Sequence, residues 1–225
     1  MHRQKIIETL RAATSVPEER RGAYFKTAVG DYAEHDRFIG ISVPELRKIA
    51  KEYAALPIEE IDYFIASPFN EERLFALFIL VDQYKRGNIQ KKEEIYHYYL
   101  SHTQHINNWN LVDSSAHLIV GYHLYTRDRK MLLELAQSKN MWERRIAIVA
   151  TWYFIKQKDL EWTFKIAERL LQDKHDLIHK AVGWMLREAG KKEEAPLIAF
   201  LDLHSKNMPR TMFRYSIERL PHYKK

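Results

Sequence analysis

Short related phrases recur along this chain at almost constant spacing, and each one opens a segment with helical apolar periodicity. Aligning the phrases places one residue from each in a column, which reads Arg73, Trp109, Arg145, Lys180 and Arg214 and has successive spacings of 36, 36, 35 and 34 residues. A period in that range, with two helices in each repeat, is typical of proteins whose repeats stack side by side. Four of the five members are cationic, so the column predicts a stripe of positive charge across the stacked helices.

Helical periodicity runs through the whole chain. Apolar residues recur at three- and four-residue spacing, and only seven glycines and seven prolines interrupt them. We predict helices over residues 4–13, 18–28, 43–53, 57–66, 71–86, 91–101, 111–125, 128–137, 142–156, 159–171, 176–189, 193–204 and 209–218, with a polar loop over 30–37. No linker or low-complexity segment divides them. We therefore expect one domain over residues 1–225, an all-α solenoid of HEAT-like repeats with a basic concave face.

One helix start carries a complete local signature. Ser42 can accept a hydrogen bond from the first turn, Glu45 stands three residues later as in a reciprocal capping box, and Pro44 lies in the first turn, where its missing N–H costs little. We expect a helix to begin directly after Ser42.

Charge and composition limit the classes of function. The chain has 36 Lys and Arg against 30 Asp and Glu, a formal net charge of +6 that suits a polyanionic partner. It has no cysteine, which excludes disulfides, cysteine nucleophiles and thiolate zinc sites. No apolar run approaches the roughly 18 residues of a membrane helix, and no apolar signal core follows the first methionine. We expect a cytoplasmic monomer without a membrane partner.

An indole and a carboxylate stand four residues apart at Trp109 and Asp113, on one face of a helix. One turn after the cationic column, the repeat alignment reads Leu77, Asp113, Val149, Trp184 and Glu218, so Trp184 joins this group in the register. A carboxylate stabilises the oxocarbenium-like sugar that forms when an N-glycosidic bond breaks. If the base is already cationic through alkylation, it leaves as a neutral molecule. One carboxylate then suffices.

Several stretches together resemble one known family. They are NWNLVD at 108–113, WERRIA at 142–147, HKAVGWMLRE at 179–188, MPRT at 208–211, and Phe38-Ile39-Gly40-Ile41 with Pro44. The chain is similar over nearly its whole length to the HEAT-like-repeat alkylpurine DNA glycosylases, the AlkD-like family. The resemblance implies excision of cationic N3- and N7-alkylated purines from duplex DNA in base excision repair, without metal or cofactor. It also implies action without insertion of the damaged base into a pocket.

The resemblance further implies roles for individual residues. Asp113 matches the catalytic carboxylate, Trp109 and Trp184 the aromatic pair against the deoxyribose, and Arg145 a phosphate-contacting arginine. An N-terminal aromatic that grips DNA corresponds to Tyr24 or Phe25. With the cationic column and the matching stretches, the remaining DNA contacts are expected from Arg73, Arg144, Lys180, Arg187, Arg210 and Arg214.

A second function remains open on the sequence. A non-catalytic HEAT-repeat module that binds DNA structures or an acidic protein partner explains the cationic column equally well. It gives no reason for Trp109, Asp113 and Trp184 to share a register.

Other candidate sites are weaker. His175 and His179 have the i, i+4 spacing of a metal pair, but Asp176 stands where the thermolysin-type motif requires glutamate, and no third ligand is identifiable, so we expect no metal. Trp152 and Trp162 fall at apolar helical positions, where we expect core packing.

Overall fold

The computed structural model describes residues 2–220 and 222–223; Met1, Pro221, Lys224 and Lys225 lie outside the described residues. Within the described residues the regular secondary structure is helical, which confirms the all-α solenoid class. The α-helices are α1 His2–Ala12, α2 Val43–Glu52, α3 Ile58–Ile65, α4 Asn70–Arg86, α5 Ile89–Ser101, α6 Trp109–Ala116, α7 Tyr122–Leu124, α8 Lys130–Ala136, α9 Met141–Lys156, α10 Glu161–Arg169, α11 Asp176–Gly190, α12 Glu194–His204 and α13 Arg210–Ser216.

The chain divides into two compact units, with the boundary between Ser115 and Ala116. In the first unit, α4 packs against α2, α3 and α5. In the second unit, α9 packs against α8, α10 and α11, and α11 packs against α12 and α13. Each unit therefore has a long central helix that is covered by its neighbours.

Helix α4 shows how the core of the first unit forms. Phe75, Leu77 and Tyr84 on this helix are fully buried, because residues 74–81 form an unbroken apolar run and neighbouring helices cover the helix. The polar residues of its first turn are buried as well and find partners in the N-terminal segment: the carboxylate of Glu71 accepts the N–H groups of Ile39 and Gly40 at 3.0 and 2.8 Å.

The structure confirms one of the two hydrogen bonds of the capping box at Ser42. Helix α2 begins at Val43, and the hydroxyl of Ser42 accepts a hydrogen bond from the N–H of Glu45 at 3.4 Å. This bond satisfies one of the N–H groups that the first helical turn leaves open. The helix start fixes the direction in which α2 leaves the N-terminal segment.

The helix predicted over residues 18–28 is wrong. Only a single 3₁₀ turn, Glu18–Arg20, forms there. Gly22 then adopts a φ of +72°, and a Cβ at this position would lie 2.6 Å from a ring carbon of Phe38. A positive φ ends a right-handed helix, and the close approach of Phe38 requires glycine. The segment from Glu18 to the start of α2 is consequently a folded loop.

That loop is fastened to the start of α4. Arg37 and Phe69 form an isolated parallel β-bridge, in which the N–H of Arg37 donates to Pro68 at 2.9 Å and the N–H of Asn70 donates to Arg37 at 2.8 Å. The predicted polar loop over 30–37 is therefore present, and its last residue is anchored to the helical core.

The helix predicted over 111–125 is present but changes its hydrogen-bond pattern midway. Helix α6 ends at Ala116, a π-helical turn covers His117–Gly121, and α7 follows. A Cβ at Gly121 would lie 2.1 Å from the carbonyl oxygen of Ala150, so this backbone packs directly on α9. π-turns inside helices are found frequently at functional sites.

No described helix is long and apolar enough to cross a membrane.

Candidate functional site

The start of α6 is set by a fully buried asparagine. The side-chain oxygen of Asn108 accepts from the N–H of Trp109 at 2.7 Å, and its amide nitrogen donates to Asp36 at 2.7 Å. Trp109 is the first residue of α6, and Asp113 follows one turn later on the same face. The position of both side chains thus depends on a contact with the loop before α2.

Asp36 is the centre of this buried network. Besides Asn108, its carboxylate accepts from the amide of Asn70 at 2.9 Å and from the guanidinium of Arg73 at 2.5 Å. The side chains of Asp36 and Arg73 are 5% and 4% exposed, and charge-assisted hydrogen bonds of this kind are about twice as strong as neutral ones. One carboxylate therefore joins the loop, the start of α4 and the start of α6. Nothing in the polar sequence around Asp36 indicated this role.

The ring of Trp109 is held by aromatic residues of the same loop. It stacks on Phe25 with ring centres 5.2 Å apart, and Phe25 stacks on Phe38 at 4.8 Å. The indole N–H donates to the hydroxyl of Tyr32 at 3.2 Å. Phe25, one of the two N-terminal aromatic candidates, is therefore part of the site around Trp109. Tyr24, the other candidate, is 89% exposed.

Asp113 is half-buried and lines a cavity of about 430 Å³ in the first unit. Trp109, Phe25 and Phe38 line the same cavity. Burial raises the pKa of the Tyr99 phenol. A hydrogen bond with Ser115 lowers this pKa, and the negative charge of Asp113 raises it further. The structure brings the predicted acid and indole together at one opening.

Arg73 does not lie on an exposed face. Its guanidinium is bound by Asp36 and by the carbonyl oxygen of Ser67 at 2.8 Å. The guanidinium of Arg73 therefore has a structural role in the first unit, and its contact with DNA stays a prediction. The repeat pattern could not reveal this, because it registers position along a helix and not the partner across from it.

In the second unit, Trp184 on α11 is half-buried and packs edge-on against Trp152 of α9, with ring centres 4.9 Å apart. The ring centres of Trp152 and His117 are 4.5 Å apart, and the ammonium of Lys156 lies 4.1 Å from the ring centre of Trp152. The core packing expected for Trp152 is found only in part. Trp152 is half-buried and supports Trp184 in an aromatic row. Trp162 is also half-buried, and the ammonium nitrogen of Lys165 lies 4.3 Å from its ring centre.

Three of the predicted DNA-binding cations of the second unit are bound by other groups of the protein. Arg145 is 5% exposed and donates to the carbonyl of Leu177. Arg144 is paired with Asp173 at 2.6 Å, and Arg187 is paired with Glu218. These guanidiniums bind neighbouring helix starts and turns, and the DNA contacts of Arg144, Arg145 and Arg187 stay predictions.

Lys180 is 40% exposed in its side chain and pairs with Asp176 one turn earlier at 2.7 Å. The hydrogen bond from Lys180 lowers the pKa of Asp176 against a weaker opposing effect of burial. Much of the charge of Lys180 is therefore compensated locally. Arg210 and Arg214 differ, because both are exposed at i, i+4 positions of α13 and share one face.

The observed helix starts also change the alignment of the repeats, which placed Trp109 in one column with four cations. Arg145, Lys180 and Arg214 are each the fifth residue of their helix, and Arg73 is the fourth, whereas Trp109 is the first residue of α6. Counted from the helix start, Asp113 and not Trp109 is the equivalent of the cations. The displacement of one turn exceeds the usual uncertainty of one or two residues in helix ends.

His175 and His179 have different surroundings. His175 is exposed, and the Nε2 of His179 lies within hydrogen-bond distance of the carbonyl oxygen of Asp173. That contact orients the ring of His179 toward its own preceding turn.

Comparisons with known proteins agree with the fold. Residues 6–220 match the sequence profile of a family described as DNA alkylation repair enzyme. Among solved structures, a chain described as a predicted DNA alkylation repair enzyme from Enterococcus faecalis has a TM-score of 0.71 to this chain. The two are 17% identical, over 93% of this chain and 99% of that one. At this identity the structural likeness concerns the fold. A comparison with curated proteins found no match.

Proposed function

The chain belongs to the DNA alkylation repair enzyme family, and we propose that it is a DNA glycosylase that removes cationic N3- and N7-alkylated purines from duplex DNA. The observation that carries this proposal is the placement of Asp113. Asp113 is half-buried, lies one turn after Trp109, and lines an aromatic cavity in the first unit. A carboxylate in such a place stabilises positive charge more strongly than one in bulk water.

The proposed reaction is hydrolysis of the N-glycosidic bond. The bond between C1′ of the deoxyribose and the base nitrogen breaks, and its electron pair neutralises the positive charge of the alkylated ring. The sugar develops oxocarbenium character, which the charge of Asp113 stabilises. A water oxygen then bonds to C1′, and the proton it loses goes to Asp113 or to solvent. Because the base leaves neutral, this scheme uses neither a general acid nor a metal or cofactor.

The aromatic residues supply the second part of the proposal. Trp109 and Trp184 would pack against the deoxyribose of the damaged nucleotide, where indole faces attract developing positive charge. The rings are kept in place by different means: Trp109 stacks on Phe25 in the first unit, and Trp184 packs against Trp152 in the second. Trp152 is therefore a positioning residue for Trp184 in this proposal.

The direct test is release of free base from duplex DNA. We expect the wild-type protein to release 7-methylguanine and 3-methyladenine from methylated duplex DNA under single-turnover conditions, with no release of unmodified guanine or adenine. The products are separated by chromatography and quantified. Failure to release either methylated base, together with salt-sensitive DNA binding, would instead support the non-catalytic DNA-binding module.

Arg210 and Arg214 are the exposed cations of the second unit to which we assign phosphate contacts. Replacing both with alanine is expected to weaken binding to undamaged duplex and to reduce the salt dependence of log K by about two units of slope, since each phosphate contact contributes about one. The measurement is a titration of fluorescent duplex at several salt concentrations.

The matched control removes two cations from another helix of the same unit. Lys165 and Arg169 are exposed at i, i+4 positions of α10, so the Lys165→Ala, Arg169→Ala variant has the same net charge as the test variant. It is expected to keep the wild-type slope. Equal changes in both double variants would show that net charge, and not the face of α13, governs binding.

A further inference from the structure

The hydroxyl of Tyr32 is hydrogen-bonded to the one polar atom of the Trp109 side chain. An indole ring has a single hydrogen-bonding group, its N–H donor. In this chain that N–H donates to the hydroxyl of Tyr32 at 3.2 Å. The bond joins residues 77 positions apart, and both side chains are half-buried. The orientation of the Trp109 ring on α6 is therefore coupled to the loop before α2.

The hydroxyl of Tyr32 is itself held within that loop. Its oxygen also accepts from the backbone N–H of Lys26 at 3.2 Å. The N–H of Ala33 donates to the carbonyl oxygen of Lys26 at 3.0 Å, and Ala33 is 2% exposed. Further along the loop, the buried carboxylate of Asp36 joins it to the starts of α4 and α6. The acceptor for the indole thus belongs to a part of the loop that is bonded on both sides.

The ring of Phe25 and the hydroxyl of Tyr32 restrict different movements of the indole. Stacking on Phe25, with ring centres 5.2 Å apart and ring planes 28° from parallel, sets the plane of the indole but allows the ring to turn within that plane. A hydrogen bond is directional and weakens steeply when the N–H points away from its acceptor. The bond to Tyr32 therefore selects one rotation of the ring.

A fixed indole matters for the proposed excision. Trp109 would pack against the deoxyribose while positive charge develops there, and the attraction between an indole and a cation depends on where the face of the ring lies. A misplacement of about 1 Å in a group that is positioned for reaction can lower the rate by about 10²-fold. An indole that turns against Phe25 would have the required geometry only part of the time.

We infer that Tyr32 is a positioning residue for base excision, which acts by accepting the hydrogen bond of the Trp109 indole. The inference rests on the proposed glycosylase function and adds one residue to it. The bond is present in the protein without DNA, so the loop before α2 orients the indole before the duplex binds. Neither helical periodicity nor repeat spacing indicated this role, because Tyr32 lies in the polar segment over residues 30–37.

The first experiment removes the hydroxyl alone. Tyr32→Phe keeps the aromatic ring and is expected to lower single-turnover release of 7-methylguanine by about tenfold, while affinity for the duplex stays within about twofold of wild type. The control is Tyr98→Phe, because the hydroxyl of Tyr98 donates to Asp62 at 2.6 Å and joins α5 to α3 in the same unit. This control also loses a phenolic hydrogen bond, and it should release base at the wild-type rate.

A double-mutant cycle distinguishes positioning from a general loss of stability. In Trp109→Phe the indole N–H is absent, so the hydroxyl of Tyr32 has no donor to orient. Adding Tyr32→Phe to Trp109→Phe is therefore expected to slow base release by less than about twofold, compared with about tenfold on the wild-type background. A hydroxyl with a merely structural role would lower the rate by the same factor on both backgrounds.

The third experiment observes the contact by NMR in the protein without DNA. The indole N–H signal of Trp109, one of five tryptophans, is assigned by its absence in Trp109→Phe. In wild type this N–H is expected to exchange with solvent at least about tenfold more slowly than that of Trp162, which is also half-buried. In Tyr32→Phe the protection should be lost. The wild-type measurement decides whether the contact exists even if Tyr32→Phe fails to fold.

The outcomes separate the two proposals. Slower base release in Tyr32→Phe, but not in Tyr98→Phe and not on the Trp109→Phe background, supports both. A wild-type rate in a folded Tyr32→Phe variant, equal effects on the two backgrounds, or an unprotected Trp109 N–H in wild type overturns the positioning role and leaves the glycosylase standing. Absence of base release from the wild-type protein overturns the glycosylase, and the NMR comparison then decides by itself whether Tyr32 positions the indole.

Discussion

Replacing Asp113 with asparagine is expected to slow release of alkylated purine bases by about 10²–10³-fold, the range found when one electrostatic stabiliser of a transition state is removed. Asparagine has almost the same shape as aspartate but lacks the negative charge that stabilises the developing oxocarbenium ion. Affinity for alkylated duplex should stay within a few-fold of wild type, since phosphate contacts dominate it. Single-turnover base release and equilibrium binding, measured on the same DNA, separate the two effects.

The control for this variant removes a carboxylate elsewhere in the same unit. Asp82 lies on α4, has a side chain that is 25% exposed and pairs with Arg86 on the surface. Asp82→Asn changes the net charge by the same amount and is expected to retain wild-type excision. If Asp113→Asn and Asp82→Asn excise equally fast, Asp113 has no part in the reaction.

Replacing Asp36 with alanine is expected to have the largest effect on stability. It leaves the guanidinium of Arg73 buried without its carboxylate, and removing one partner of a buried ion pair costs about 3–5 kcal/mol. The amides of Asn70 and Asn108 lose an acceptor at the same time. We expect a lower urea midpoint of unfolding, measured by circular dichroism, with base release lost as well because Asn108 sets the start of α6.

The comparison for Asp36→Ala is Asp82→Ala. Both variants remove an aspartate that pairs with an arginine of α4, but the Asp82–Arg86 pair is an exposed i, i+4 contact worth about 0.3–0.5 kcal/mol. The Asp36 variant should lose several times more free energy of unfolding. Similar losses in the two variants would mean that the buried network around Asp36 does not hold this unit together.

The helices were largely predictable from the sequence because their signals are local. Ser42 accepts the hydrogen bond that its capping box predicted, and α9 begins within one residue of its predicted start. The failure at residues 18–28 has an equally definite cause. The segment carries enough apolar residues for a helix, but Gly22 adopts a positive φ against the ring of Phe38, a contact made with a residue 16 positions away. Periodicity within a short window does not register such a contact.

The pairing of Trp109 with Asp113 was predictable from the sequence, whereas the partners of the nearby arginines were not. Trp109 and Asp113 could be paired from helical spacing alone, and the structure places them on one cavity. The partners of the cationic column were not predictable: Arg73 and Arg145 are buried and bound inside the protein. An arginine in a sequence has the same charge whether it faces water or a buried carboxylate. Its availability to DNA depends on its partner across the fold.

The sequence by itself therefore determined the helical class, the family, and the pairing of an indole with a carboxylate on one turn of α6. The helical class and this pairing follow from spacing along the chain, where helix geometry fixes which residues share a face, whereas the family follows from the resemblance of the matching stretches. Only the tertiary structure decided that Asp36 joins the loop to α4 and α6, that Phe25 supports Trp109, and that Asp113 lines an aromatic cavity. Each of these contacts joins residues far apart in the chain, and the packing of the core selects them.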